Sequence, residues 1–135
     1  MTSILLVDDE PTISAELKKT LEISHYRVDL AATVEQAVDA ASLHPYDLFL
    51  TDINLTSARY KFPNTANGVA LVMQLRASGI KRPILVFTAL EDEASELAAL
   101  KAGADEYVHK SISIPRLLAR IEANIRRHER DTGVK

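Results

Sequence analysis

Three apolar runs, Ile4–Val7, Leu48–Leu50 and Ile84–Phe87, are nearly continuous rather than alternating. A strand with one face in water carries a polar residue at every second position. Runs without that alternation belong to strands covered on both faces, the pattern of a parallel sheet. Weaker strand patterns occupy Tyr26–Leu30 and Glu106–His109, and helical patterns fill the gaps between strands. Pro11 stands where a first helical turn accepts proline, and Ile13, Leu17 and Leu21 follow at spacing four. Thr33 and Gln36 have the spacing of a capping box, and Pro45 follows that helix. Val69, Val72, Met73 and Leu75 mark a third helix. Glu91, Asp92 and Glu93 load the first turn of a fourth, which Gly103 is placed to end. Ser113 and Pro115 open a fifth, carrying Leu117, Leu118, Ile121 and Ile125. Five strand–helix units in succession predict an α/β fold with a doubly wound parallel sheet, whose ligands bind at the carboxyl ends of the strands.

Composition narrows the chemistry. The chain has 135 residues, a length that suits one domain, and 47% hydrophobic residues to build its core. It has no cysteine, which removes disulfides, zinc–thiolate sites and cysteine nucleophiles together. The net charge of −3, with no strongly basic block except at the C-terminal end, argues against direct nucleic-acid contact. No apolar run is long enough to cross a membrane and no signal peptide opens the chain, so a soluble, cytoplasmic domain is expected. Arg126–Lys135 reads as a helix end fraying into a tail, giving a domain over 1–127 and a tail or linker over 128–135.

The polar residues that follow the apolar strands are the chemically informative ones. Asp8, Asp9 and Glu10 follow the first, Asp52 the third, Thr88 the fourth and Lys110 the fifth. Singly, each has an ordinary explanation: a helix cap, a turn, strand vocabulary, a solvated lysine. In a parallel sheet, however, all of these ends share one edge. Crowded carboxylates there call for a cation, and oxygen ligands that leave room for water suit Mg²⁺. A metal beside Asp52 could neutralise an arriving phosphoryl group, with Thr88 and Lys110 contacting its other oxygens.

These residues, in this order, resemble the receiver domain of two-component response regulators, from about Ser3 to Arg127. VDDE, the LTD that ends the third strand, FTA at Phe87–Ala89, GADEY at Gly103–Tyr107 and Lys110 carry the likeness. The resemblance implies a flavodoxin-like sheet of order 2-1-3-4-5 flanked by five helices. It implies Asp52 as phosphoacceptor, served by a sensor histidine kinase, a phosphotransfer protein or a small phosphodonor. Mg²⁺ would be held by Asp9, Asp52 and the backbone carbonyl of Asn54, with Asp8 acting largely through water. Thr88 and Tyr107 would form a switch pair. Leu117 to Arg127 is similar to the last receiver helix of OmpR/PhoB-type winged-helix transcription factors. Such receivers pair once phosphorylated, which here implies a homodimer joined by Glu96 with Arg116, Lys101 with Glu122 and Glu106 with Arg120.

The chain departs from that family in two places. Ser111 follows Lys110 where the family has a proline, so a trans bond is expected there. After Asp52, Thr56 replaces a proline and Gly68 arrives late, so Ser57–Ala66 looks inserted, with Tyr60 and Phe62 interleaved with Arg59 and Lys61. Leaving from Asp52, this loop is expected to sit over the phosphorylation edge. Two other functions fit part of the sequence. DINLT, Asp52 to Thr56, resembles the aspartate-nucleophile motif of haloacid-dehalogenase-like phosphatases, but Asn54 stands where that family has its second acid. A receiver-like binding module that never takes phosphate is the other, although such modules usually lose an acid or the lysine.

Overall fold

In the computed structural model of the chain, residues 1–55 and 67–133 are described, together with the backbone only of 64–66. Five strands alternate with five helices: β1 (Ser3–Val7), α1 (Pro11–Ile23), β2 (Arg27–Ala31), α2 (Val34–Leu43), β3 (Leu48–Thr51), α3 (Asn64–Ala77), β4 (Ile84–Thr88), α4 (Glu93–Ala102), β5 (Glu106–His109) and α5 (Ile114–Thr132). The strands form one sheet of order β2-β1-β3-β4-β5, and every pairing is parallel. The three continuous apolar runs are its centre, and β1, β3 and β4 are buried on both faces but for Ser3. One side of the sheet packs Leu5, Val7, Phe49 and Val86 under α2, α3 and α4; the other packs Ile4, Leu6, Leu50 and Leu85 under α1 and α5. Burial on both faces explains why these strands lack polar alternation.

Local chemistry sets the element ends. Thr33 caps α2 by accepting from the Gln36 N–H at 3.1 Å, and the Gln36 side chain reaches back to the Ala32 N–H at 2.8 Å. The box therefore closes one residue earlier than the motif prescribes. Asp92 caps α4 through the Ser95 N–H, and Ser113 caps α5. Gly103 ends α4 at φ 121°, a backbone geometry that an L side chain rarely adopts.

Several sequence expectations shift. β2 begins at Arg27 rather than Tyr26, because the Tyr26 N–H is committed to the Leu21 carbonyl in the turn that closes α1. The buried face of α1 is Ser14, Leu17 and Leu21, while Ile13 is exposed. On α3 the buried residues include Leu71, Val72 and Leu75, and Met73 points outward. The charged stretch beyond Arg126 remains helical to Thr132, with the Gly133 N–H donating to the Glu129 carbonyl. Of the stretch Ser57–Ala66 expected as an inserted loop, the last three residues already belong to α3, which starts at Asn64. The residues of that stretch up to Pro63, with Thr56, lie outside the described residues, as do Val134 and Lys135. Among the described residues no peptide bond is cis, that between Lys110 and Ser111 included.

Candidate phosphoryl-transfer site

β1 and β3 are neighbours that end in register, Val7 opposite Thr51, and β4 and β5 end with Thr88 opposite His109. Each ladder continues one residue beyond its strand. The Asp52 N–H donates to the Val7 carbonyl at 2.8 Å, the Asp8 N–H to the Ala31 carbonyl at 3.0 Å, and the Lys110 N–H to the Thr88 carbonyl at 2.8 Å. Asp8, Asp52, Thr88 and Lys110 are thus fixed by backbone bonds to the same edge, as the sequence order implied.

Lys110 joins the two acids. Its Nζ lies 2.7 Å from Asp8 Oδ2 and 2.8 Å from Asp52 Oδ2. The side chains are 4% (Asp8), 9% (Asp52) and 17% (Lys110) exposed, so the contacts are largely shielded from water. Burial pushes the ammonium toward its neutral form. The hydrogen bonds to Asp52 and Asp8, together with their charges, outweigh that and hold its pKa above the ordinary lysine value. The second oxygen of each carboxylate is also occupied, Asp8 Oδ1 by the Glu10 N–H at 3.0 Å and Asp52 Oδ1 by the Asn54 N–H at 3.1 Å. Capping does not account for these acids. The N-cap of α1 is Glu10, and it makes no side-chain cap bond.

The expected metal ligands are Asp8, Asp9, Asp52 and the Asn54 carbonyl. Asp8 and Asp52 share an ammonium, Asp9 is half-buried beside Asp8, and Asn54 is exposed two residues beyond Asp52. Among the described residues no three acidic or histidine side chains stand together as a ready-made metal centre. The Lys110 ammonium sits between two of the acids that would have to converge.

The expected switch pair meets on one residue. Buried Thr88 accepts from the Leu90 N–H through Oγ1 at 3.3 Å, while the Tyr107 hydroxyl donates to the Leu90 carbonyl at 3.1 Å. Burial raises the Tyr107 phenol pKa, and the charges of Asp92, Glu96 and Asp52 push it the same way.

Sequence reasoning passed over three contributors. A Cβ on Gly68 would stand 2.0 Å from the Ile53 carbonyl oxygen, so only glycine lets α3 lie against the segment that leaves Asp52. Buried Asn67 donates from Nδ2 to the Leu55 carbonyl at 2.9 Å and holds the same segment two residues further on. An Asn-Gly pair opening an apolar helix was a visible signal for both. His109, the last residue of β5, is the third: its ring lies 3.0 Å from the Ala89 carbonyl, next to Thr88. The dimer residues also read differently in space. Arg120 and Glu106, expected to pair across two copies, form their ion pair within one chain, and Asn124 donates to the same carboxylate. Glu122 lies 3.6 Å from Arg126 on its own helix.

Comparison with known proteins agrees with this geometry. The family model of the response regulator receiver domain matches residues 4–122. Over 128 residues the chain is 34% identical to the transcriptional regulatory protein KdpE of Mycobacterium tuberculosis, covering 95% of this chain and 53% of that protein. It is 35% identical to the response regulator ArlR of Staphylococcus epidermidis over 94% of this chain and 54% of the relative. The chain therefore spans about half the length of the curated relatives it matches. Among solved structures, the response regulator TrrA of Thermotoga maritima, in complex with Mg(2+)-BeF, superposes with a TM-score of 0.77 at 31% identity, over 91% of this chain and 98% of that one.

Proposed function

The chain belongs to the family of response regulator receiver domains, and from that membership we propose that it takes a phosphoryl group on Asp52 and passes the change to an output partner or domain. The observation that carries the proposal is Lys110 Nζ held between Asp8 and Asp52 at the carboxyl edge of the sheet.

The chemistry follows from the positions. A carboxylate oxygen of Asp52 attacks phosphorus. The new bond is P–O to Asp52, and the bond broken joins phosphorus to the donor, an imidazole nitrogen of a histidine kinase or phosphotransfer protein, or the acyl oxygen of a small phosphodonor. The leaving group departs with the electron pair. Catalysis of such a transfer is mostly positioning and charge stabilisation. Lys110 is already at Asp52 and can follow the charge onto the phosphoryl oxygens. The Thr88 hydroxyl, at the neighbouring strand end, accepts the Leu90 N–H and keeps its own proton to donate to another. The donors Asp8, Asp9, Asp52 and the Asn54 carbonyl are all oxygens, a set that fits Mg²⁺. When bound, Mg²⁺ supplies positive charge against the transferring group.

The phosphatase alternative is weaker here. Asn54 cannot serve as a general acid, and its N–H is spent on Asp52 Oδ1. No turnover of small phosphomonoesters is expected, since the domain would promote only its own phosphorylation and dephosphorylation. We place it in the cytoplasm; among the described residues no helix is long and apolar enough to cross a membrane. A phosphorylation-dependent homodimer is part of the proposal, through the α4–β5–α5 face. Glu96, Lys101, Arg116 and Glu122 are exposed there beside outward-facing Leu97 and Leu100. Glu106 and Arg120 would act within each copy.

Incubation with acetyl phosphate and Mg²⁺ should add one acid-stable, base-labile phosphoryl group, and Asp52→Asn should abolish it. Equal labelling of Asp52→Asn would refute the assignment.

A further inference from the structure

We infer that His109 is a positioning residue for phosphoryl transfer, its imidazole tying the turn that carries Lys110 to the connection that follows Thr88. The inference rests on the reading of Asp52 as phosphoacceptor. His109 is the last residue of β5, and its ring bridges two segments. Nε2 lies 3.0 Å from the Ala89 carbonyl oxygen. Nδ1 accepts the Ser111 N–H at 3.0 Å and lies 2.6 Å from Ser111 Oγ.

These partners fix the state of the ring. A backbone N–H can only donate, so Nδ1 must be the acceptor. The ring proton then belongs on Nε2, aimed at the Ala89 carbonyl, which can only accept. A single neutral tautomer satisfies both sides. Glu91 Oε1, 3.3 Å from Nε2, adds a largely solvated contact on the outside of the same ring.

The bridge has a second rung. Tyr107 and His109 are two residues apart on one strand and share a face. Tyr107 donates to the Leu90 carbonyl and His109 to the Ala89 carbonyl, so consecutive carbonyls of the β4–α4 connection are held from β5. Lys110 lies inside the resulting ring of bonds, its N–H on the Thr88 carbonyl and its Nζ on Asp8 and Asp52. The position of the ammonium is thereby coupled to that of the Thr88 hydroxyl. Ser111 belongs to the same device. A proline there would have no N–H to give Nδ1, so this contact needs a residue other than proline at 111, and the serine also brings its Oγ to Nδ1.

Three substitutions separate the parts. His109→Leu removes both ties. His109→Gln places an amide near the position of Nε2 and keeps a donor for Ala89. His109→Asn places an oxygen near the position of Nδ1 and keeps an acceptor for Ser111. With acetyl phosphate and Mg²⁺, His109→Leu should lower the saturating rate of Asp52 phosphorylation about tenfold, equivalent to ~1.4 kcal/mol of barrier. The half-saturating donor concentration should stay the same, because no contact to the donor is lost. His109→Gln should recover most of the rate and His109→Asn less. A wild-type rate in His109→Leu, or a loss that neither amide repairs, overturns the inference. A readout without phosphate separates this from failure of the Asp52 reading. In unphosphorylated protein at about pH 8, nitrogen NMR should show the proton on Nε2. His109→Leu should shift the Ala89, Leu90 and Ser111 amides together. A proton on Nδ1, or shifts confined to Ser111, overturns the inference whether or not Asp52 takes phosphate.

Discussion

Lys110 decides the character of the site, because one ammonium answers two shielded carboxylates. Removing it leaves Asp8 and Asp52 facing each other without a cation, and breaking one side of a buried pair costs about 3–5 kcal/mol. Lys110→Met should therefore lose about 3 kcal/mol at neutral pH, the low end because the pocket opens at the sheet edge. Millimolar Mg²⁺ should restore part of that loss and raise the melting temperature of Lys110→Met more than that of the wild type. An equal rise in both would show that metal and ammonium do not compete for the same acids. The pH dependence has a definite sign. The folded pKa of Lys110 is raised above the ordinary 10.5, so its stabilisation is complete below 10.5 and is lost as pH climbs through the raised folded value. The wild-type advantage over Lys110→Met should shrink as pH climbs through that alkaline window, and denaturant midpoints across it would check this. Asp8, Asp52, Thr88 and Lys110 were legible in sequence because each ends or directly follows a strand, and parallel strands share an edge. The contacts of His109 were not, since its partners Ala89 and Ser111 are set by strand register and by a turn, neither of which leaves a periodic trace.

At the scale of elements, burial on both faces made β1, β3 and β4 readable and left the helices ambiguous. Spacing four from Ile13 drifts off the core stripe of α1. The stripe runs through Ser14, Leu17 and Leu21, and a buried serine gives no hydrophobic signal. Val69 to Met73 is apolar on every side of α3, so periodicity could not separate exposed Met73 from buried Leu71. Beyond Arg126 the absence of apolar residues was taken for fraying, yet arginine and glutamate are good helix formers and α5 continues to Thr132. One glycine ties an element to the site. Gly68→Ala puts a methyl into the Ile53 carbonyl, and forced overpacking costs about 1–3 kcal/mol. Because the displaced segment leaves from Asp52, this variant should lose phosphorylation rate as well as melting temperature. Ala70→Gly, on the same helix, should lower only the melting temperature. A Gly68→Ala protein with the wild-type rate would detach α3 from the site.

For the whole molecule, the sheet order brings four strand ends to one edge and sets α4, β5 and α5 along another side, so the phosphoryl site and the proposed pairing face share β5 and the β4–α4 connection. The architecture was legible because strand–helix alternation admits few right-handed topologies. The pairing residues were only half legible, since sequence cannot say that Glu106 and Arg120 satisfy each other within one chain. For a dimer through Glu96 and Arg116, exposed ion pairs contribute about 0.2–1 kcal/mol each and act mainly on partner choice. Phosphorylated protein should shift toward dimer in sedimentation, Arg116→Glu should weaken that shift, and adding Glu96→Arg should restore it. A double reversal that recovers nothing would place the interface elsewhere. The proposed roles of edge, connection and pairing face all rest on one proposed event, the transfer of a phosphoryl group to Asp52. Borohydride reduction of protein treated with acetyl phosphate and Mg²⁺, followed by peptide sequencing in the mass spectrometer, reads that event directly. The reduced aspartyl residue should be found at position 52 alone. Reduction at Asp8, Asp9 or any other residue in place of Asp52 would contradict it.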